Sequence, residues 1–231
     1  MLLISLATLA LVTPSTSVPP IAPAPGSIET IAVSEDHGKL NWFQGSFEDA
    51  LKEAKAKNKI VFVDFWTTWC GWCKRLDKDT YTDDAVAAEM KDIICFNIDA
   101  ESKEGAPLAK KFNVKGYPAL ILLNPDGTYR DQIGGYLKPD QFIREIRRVR
   151  SGKGTLDGLR QEVENDKTSI EKRFAYANKL KEMEDKAGAD AQMAEIKKLD
   201  PAGKSQPMHQ IAFEELIATI NDGWQKSRSL D

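Results

Sequence analysis

Residues 60–66, IVFVDFW, form an almost unbroken β-branched and aromatic run that leads through TTW into Cys70-Gly71-Trp72-Cys73. Such a run predicts a strand buried on both faces of a partly parallel sheet. The segment after it, CKRLDKDTYTDDAVAAEMKD, reads as helix with a break near residues 80–83. A strand, a tight turn and a helix therefore meet at two thiols. Cys70 falls at or just before the helix N-terminus, where unsatisfied N–H groups and the helix dipole stabilise a thiolate. The thiolate is the attacking species in disulfide exchange. Cys73 lies one helical turn on, on the same face, placed to attack a mixed disulfide on Cys70 and release its partner. Three Cys in 231 residues are too few for a disulfide scaffold, and two of them share this motif. The pair therefore reads as chemical rather than structural.

Around the motif, helical and strand patterns alternate. SFEDALKEAKAKN (46–58) places Phe47, Ala50, Leu51 and Ala54 on one helical face behind Ser46 as N-cap. IICFNID (93–99) is a second apolar strand, and GAPLAKKFNV (105–114) a short helix. ALILLN (119–124) and TYRDQIGG (128–135) flank the turn signal Asn-Pro-Asp-Gly and predict an antiparallel hairpin. LKPDQFIREIRRVR (137–150) carries Pro near its first turn and Phe142, Ile143, Ile146 and Val149 at helical spacing. The order α-β-α-β-α-β-β-α predicts an α/β fold, a mixed central sheet with helices on both faces.

SGKGTLDG (151–158) reads as a Gly-rich break, and residues 151–231 as a small all-α C-terminal region. Phe174, Ala177, Leu180 and Met183 mark one helix of it. Ala189, Met193, Ile196 and Leu199 mark another that stops at Asp200-Pro201, with a further helix over 210–224. The spacing of Ala177, Ala189 and Pro201 is similar to a single tetratricopeptide unit, and an ordinary helical hairpin fits equally. A chain cut near Gly152 is expected to fold and to reduce small disulfides, because nothing in the tail supplies a thiol.

The 11-residue apolar run at 2–12 is too short to span a membrane, which takes about 20 helical residues. It suits a signal peptide over residues 1–17, cleaved before Val18, with a Pro-rich linker at 18–39. No Lys or Arg precedes the run. The expected location is periplasmic or secreted, with no stable membrane insertion after cleavage. A net charge of −3 offers no footprint for nucleic acid. The two histidines, His37 and His209, stand in dissimilar contexts, so a His-rich metal site is not expected.

Asp64 interrupts the apolar strand. A lone buried carboxylate is costly, and desolvation raises its pKa. Trp69 and Trp72 are expected on the rim of the motif as an apolar surface for docking peptide substrates, and Trp66 in the core.

VDFWTTWCGWCK, the Asn97–Asp99 NID and Gly116-Tyr117-Pro118 before a strand resemble the thioredoxin superfamily over residues 40–150. WFQGSFEDALKEAKAKNK and TYTDDAVAAEM are similar to exported bacterial members, such as the periplasmic thioredoxin-like domain of transmembrane disulfide reductases. The resemblance implies a thioredoxin fold and a cis Pro118 against the active disulfide, with Tyr117 placing its backbone for an extended substrate. It implies that Asp64 takes the proton from Cys73. It implies no metal, flavin or nucleotide. Two positions depart from the family pattern. Cys95 stands where many members carry a Lys that pairs with the buried Asp, and Trp72 replaces a usual Pro. Cys95 is expected to be a buried, inert thiol.

The leading expectation is an exported thiol–disulfide oxidoreductase acting on Cys-containing protein substrates, with a membrane electron-transfer partner if it works as a reductase. Two alternatives stand beside it. A CxxC is half of a tetrahedral zinc site, and a non-catalytic peptide-binding or chaperone module could use the same fold with a partner-docking tail.

Overall fold

The computed structural model describes residues 37–228, so the expected leader and most of the expected linker lie outside the described residues. The sheet follows the predicted order. Helix α1 (Phe47–Lys57) starts at Ser46, whose Oγ accepts the Asp49 N–H at 3.2 Å, and ends at Asn58 in the left-handed region. Strand β1 (Val61–Trp66) comes next, then α2 (Gly71–Asp79) and α3 (Asp84–Met90). The break between the two helices falls at residues 80–83, where Asp83 caps α3 through its carboxylate. Strand β2 (Ile94–Asp99) and helix α4 (Gly105–Lys111) lead to the hairpin β3 (Ala119–Leu123) and β4 (Tyr129–Gly134). Gly127, at φ +83°, supplies the left-handed residue of the hairpin turn. Helix α5 (Pro139–Arg150) closes the α/β region with Pro139 in its first turn.

The sheet order is β2-β1-β3-β4, with β1 parallel to β2 and antiparallel to β3. Both faces are apolar, which is why the central strands read as continuous runs. Phe62, Leu76, Tyr81, Leu120, Leu122, Ile133 and Phe142 pack on the face covered by α2, α3 and α5. Val61, Val63, Phe65, Phe96, Ile121 and Leu123 pack on the other with Phe47, Ala50 and Ala54 of α1 and Ala109 of α4. A register shift between Leu122 and Leu123 bends the β3–β4 pair. Beyond β2, Trp42 forms an isolated parallel bridge with Cys95, and the Phe43 N–H donates to the Cys95 carbonyl at 2.7 Å.

Residues 156–228 are helical: α6 (Leu156–Asn165), α7 (Ile170–Glu182), α8 (Lys186–Leu199) and α9 (Gln206–Arg228). Phe174, Ala177, Met193, Ile196 and Ile211 form their core. Helix α8 stops before Asp200-Pro201 as expected, and its last residue, Leu199, is exposed. The helices are tied to the sheet by polar contacts. Lys179 of α7 reaches 2.6 Å from Asp131 Oδ1, Asn124 donates to Asp157 Oδ2 at 2.8 Å, and Lys115 pairs with Glu184 at 3.2 Å. A cut near Gly152 therefore removes one cation from a carboxylate that is 0% exposed.

Candidate active site

The apolar strand β1 delivers its last residue, Trp66, to the top of the sheet. A turn follows in which the Cys70 N–H donates to the Thr67 carbonyl at 3.1 Å. Cys70 is the N-cap of α2, and its sulfur accepts the Cys73 N–H at 3.0 Å. The two thiols are joined as a disulfide with Cα atoms 5.3 Å apart. Both cysteines are 4% exposed, so accessibility does not distinguish them in this oxidised state. Position does: Cys70 caps the helix, and Cys73 lies inside its first turn.

Two aromatic walls flank the disulfide. Trp69 and Trp72 are exposed, as expected for a rim. Trp69 lies edge-on to Tyr117 with ring centroids 5.8 Å apart, and its Nε1–H donates to Glu101 Oε1 at 3.0 Å. The Tyr117–Pro118 peptide is cis, and Pro118 is buried at the start of β3. On the other side, Trp72 packs 5.4 Å from Tyr136. The Arg75 guanidinium lies over both rings, and Asp79 Oδ2 accepts from Arg75 Nε and the Tyr136 hydroxyl, each at 3.0 Å. Trp66 is half-buried, its ring 5.2 Å from that of His37.

Asp64 is 2% exposed, and the Tyr81 hydroxyl donates to its Oδ2 at 3.0 Å. Burial, reinforced by the Asp77 carboxylate, pushes its pKa up to about 7, against the opposing pull of the Tyr81 hydrogen bond and of His37. Cys95 makes no hydrogen bond to this acid; its thiol donates to the Ile93 carbonyl at 3.7 Å. It registers with Phe62, whereas Asp64 registers with Asn97. Tyr81, from the break between α2 and α3, supplies the hydrogen bond instead. Cys95 is a free buried thiol, and burial pushes its pKa up to about 12. His37 Nδ1 lies 2.9 Å from Asp77 Oδ1.

Tyr81, His37, Asp77, Tyr136 and Glu101 thus join the site without having been singled out in the sequence. Asp77 had a legible signal, four residues after Cys73 on one helix face. The others are brought in by tertiary packing. A cavity of about 650 Å³ lies elsewhere, lined by Asn124, Asp126, Asp157 and Arg160 among others and by no residue of the motif. Among the described residues, no group of three or more His, Cys, Asp or Glu side chains is spaced to hold a metal ion.

Comparison with known proteins places this geometry. Residues 47–150 match the family model described as a thioredoxin-like domain. The thiol:disulfide interchange protein DsbD of Ralstonia nicotianae is 26% identical over 138 residues, 56% of this chain and 23% of that protein. DsbD of Campylobacter jejuni is 28% identical over 124 residues, 53% of this chain and 22% of that protein. The chain thus spans under a quarter of the length of these relatives. A solved putative disulphide-isomerase from Bacteroides thetaiotaomicron is 32% identical, covering 50% of this chain and 96% of that one, with a TM-score of 0.44.

Proposed function

We propose that this chain, whose residues 47–150 are a thioredoxin-like domain, is a thiol–disulfide oxidoreductase that exchanges disulfides with Cys-containing protein substrates. The observation that carries the reading is the Cys70–Cys73 disulfide at the first turn of α2. In the reduced protein, the Cys70 thiolate attacks one sulfur of a substrate disulfide. A Cys70–substrate mixed disulfide forms, and the other substrate sulfur leaves as a thiolate that takes a proton. Cys73 then loses its proton to Asp64, attacks the Cys70 sulfur and closes the intrachain disulfide, releasing the second substrate thiolate. Two electrons pass from the protein dithiol to the substrate. The reverse sequence oxidises a substrate dithiol. An acid whose pKa lies near 7 is suited to hold and return that proton at neutral pH. Trp69, Trp72, Tyr117 and Pro118 form the substrate-binding rim.

The protein acts outside the cytoplasm, in the periplasm or secreted, and exchanges electrons with a membrane partner when it works as a reductase. The apolar run at 2–12 supports export. No helix among the described residues is long and apolar enough to cross a membrane.

Insulin disulfide reduction driven by dithiothreitol tests the activity. Wild type should accelerate it, Cys70→Ser should not, and Cys73→Ser should accumulate mixed disulfides. Equal rates for wild type and Cys70→Ser would leave the non-catalytic peptide-binding reading in its place. The reduction potential of the pair sets direction: a value near about −250 mV or below marks a reductase, and one near about −120 mV an oxidase.

A further inference from the structure

His37, the first described residue, lies ten residues before the family match, inside the stretch expected to be linker. Gly38, at φ +69°, lies so close to Tyr81 that an added Cβ would stand 2.6 Å from the Tyr81 carbonyl carbon. The Lys39 N–H donates to the Tyr81 carbonyl at 2.7 Å. These contacts fix residues 37–39 on the break between α2 and α3, next to the residue that hydrogen-bonds Asp64.

His37 is 6% exposed and held on several sides. Its ring lies 5.9 Å from Trp42, edge-on, and 5.2 Å from Trp66. Its carbonyl accepts the Trp42 indole N–H at 2.8 Å, and its Nδ1 meets Asp77 Oδ1 at 2.9 Å. Asp77 rides α2 one turn after Cys73. No donor among the described residues reaches Asp64 Oδ1. The charge of that carboxyl therefore answers to neighbours acting through space as well as to Tyr81.

We propose that His37 is a positioning residue for proton uptake at Asp64. The Asp77 carboxylate disfavours a negative charge on Asp64, and His37 Nδ1, 2.9 Å from Asp77 Oδ1, holds that carboxylate in place. The groups acting on Asp64 come from three elements, Asp77 from α2, Tyr81 from the α2–α3 break and His37 from the segment before the domain, while Cys95 of β2 acts on Tyr81. Burial pushes both Tyr81 and Cys95 upward, so neither ionises at neutral pH. Asp77 and His37 are then the remaining neighbours that bias proton uptake at Asp64. After burial, Asp77 is the larger influence raising Asp64, and His37 opposes it.

The inference rests on the reading of Asp64 as the acceptor of the Cys73 proton, and the test separates the two. The Asp64 carboxyl carbon is titrated by NMR in the oxidised full chain, with Asp64→Asn identifying its signal. Asp77→Asn should lower the midpoint by about one unit, and His37→Gln should raise it by less. The pH profile for Cys73 displacing a nitrothiobenzoate group from Cys70 should move with each midpoint. If all midpoints coincide in folded variants, His37 has no such role. If the midpoints move in opposite directions while the rate profiles stay fixed, His37 acts as proposed and Asp64 is not the acceptor. Should His37→Gln fail to fold, His37→Asn takes its place, and a midpoint unmoved in both Asp77→Asn and His37→Asn overturns the proposal.

Discussion

Two carboxylates are buried on the same face of one sheet and are handled in opposite ways. Asp64 of β1 has a phenol hydroxyl on one oxygen and no donor on the other. Asp131 of β4 sits between two cations, with Lys179 Nζ 2.6 Å from Oδ1 and Arg148 Nη1 2.8 Å from Oδ2. It also accepts the Gln132 N–H at 2.8 Å. Register places both acids on one face, because Asp64 aligns with Leu120 and Ile133, and Asp131 with Leu122 and Phe62. A carboxylate with charge-assisted partners on both oxygens holds elements together. One left with a single neutral donor is free to trade its proton. On this one face, the α2 end holds a carboxylate suited to exchange a proton and the α7 end one that ties a helix to the sheet.

The largest expected effect falls on the first region. Cys70→Ser should lower exchange about a thousandfold or more in the insulin assay, while Lys179→Ala should leave the rate on a small disulfide near wild type. A comparable loss in Lys179→Ala would break the division between the two sides.

Asp64→Asn should stabilise the oxidised protein with a distinct pH dependence. The folded pKa is raised above the ordinary value of 3.8 to about 7, so wild type is best served below pH 4. It loses stability as pH rises through that window and levels off above it. The gain from Asp64→Asn should therefore grow from pH 4 to 7 and flatten, with a ceiling of roughly 4 kcal/mol. Urea unfolding at several pH values measures it, and a gain independent of pH would mean that Asp64 titrates normally.

Lys179→Ala leaves a buried carboxylate with one cation and should cost about 3 kcal/mol in urea unfolding. Asp131→Asn in the same chain should recover part of that loss. A chain ending at Gly152 should show a similar deficit yet still reduce small disulfides, since it keeps Arg148 and the whole motif.

The smallest effect is expected at Cys95. Cys95→Ala removes a buried sulfur at a cost of about 1 kcal/mol and should retain activity. In the oxidised protein, thiol titration should fall from one free thiol to none, because the other two cysteines are bonded to each other. A Cys95-containing disulfide found by peptide mapping would make it part of the chemistry.

Local signals carried much of this architecture. The unbroken run of β1 announced apolar layers on both sides of the sheet, Asn-Pro-Asp-Gly announced the hairpin, and the helix break near residues 80–83 stood in the pattern itself. The contacts that specialise the two acids were not legible in the same way. Tyr81 meets Asp64 across 17 residues, and His37 meets Asp77 across 40. Side-chain pairings between elements leave no periodic trace in a sequence, and Asp131 looked like any polar position of a half-exposed strand.

The irregularities at the two borders of the sheet share a consequence. A sheet with open borders invites another extended chain to add itself, and proteins blunt that tendency with bulges, inward charges and covering segments. Here β2 is shielded at Cys95 by the Trp42 bridge and the Phe43 N–H. At the opposite border, the β3–β4 register shift and the inward carboxylate of Asp131 spoil β4 as a template. Any extended chain that meets the sheet at these borders therefore finds fewer free backbone groups to pair with. The same local irregularities that break the regular pattern thus disfavour the addition of a further strand at either border.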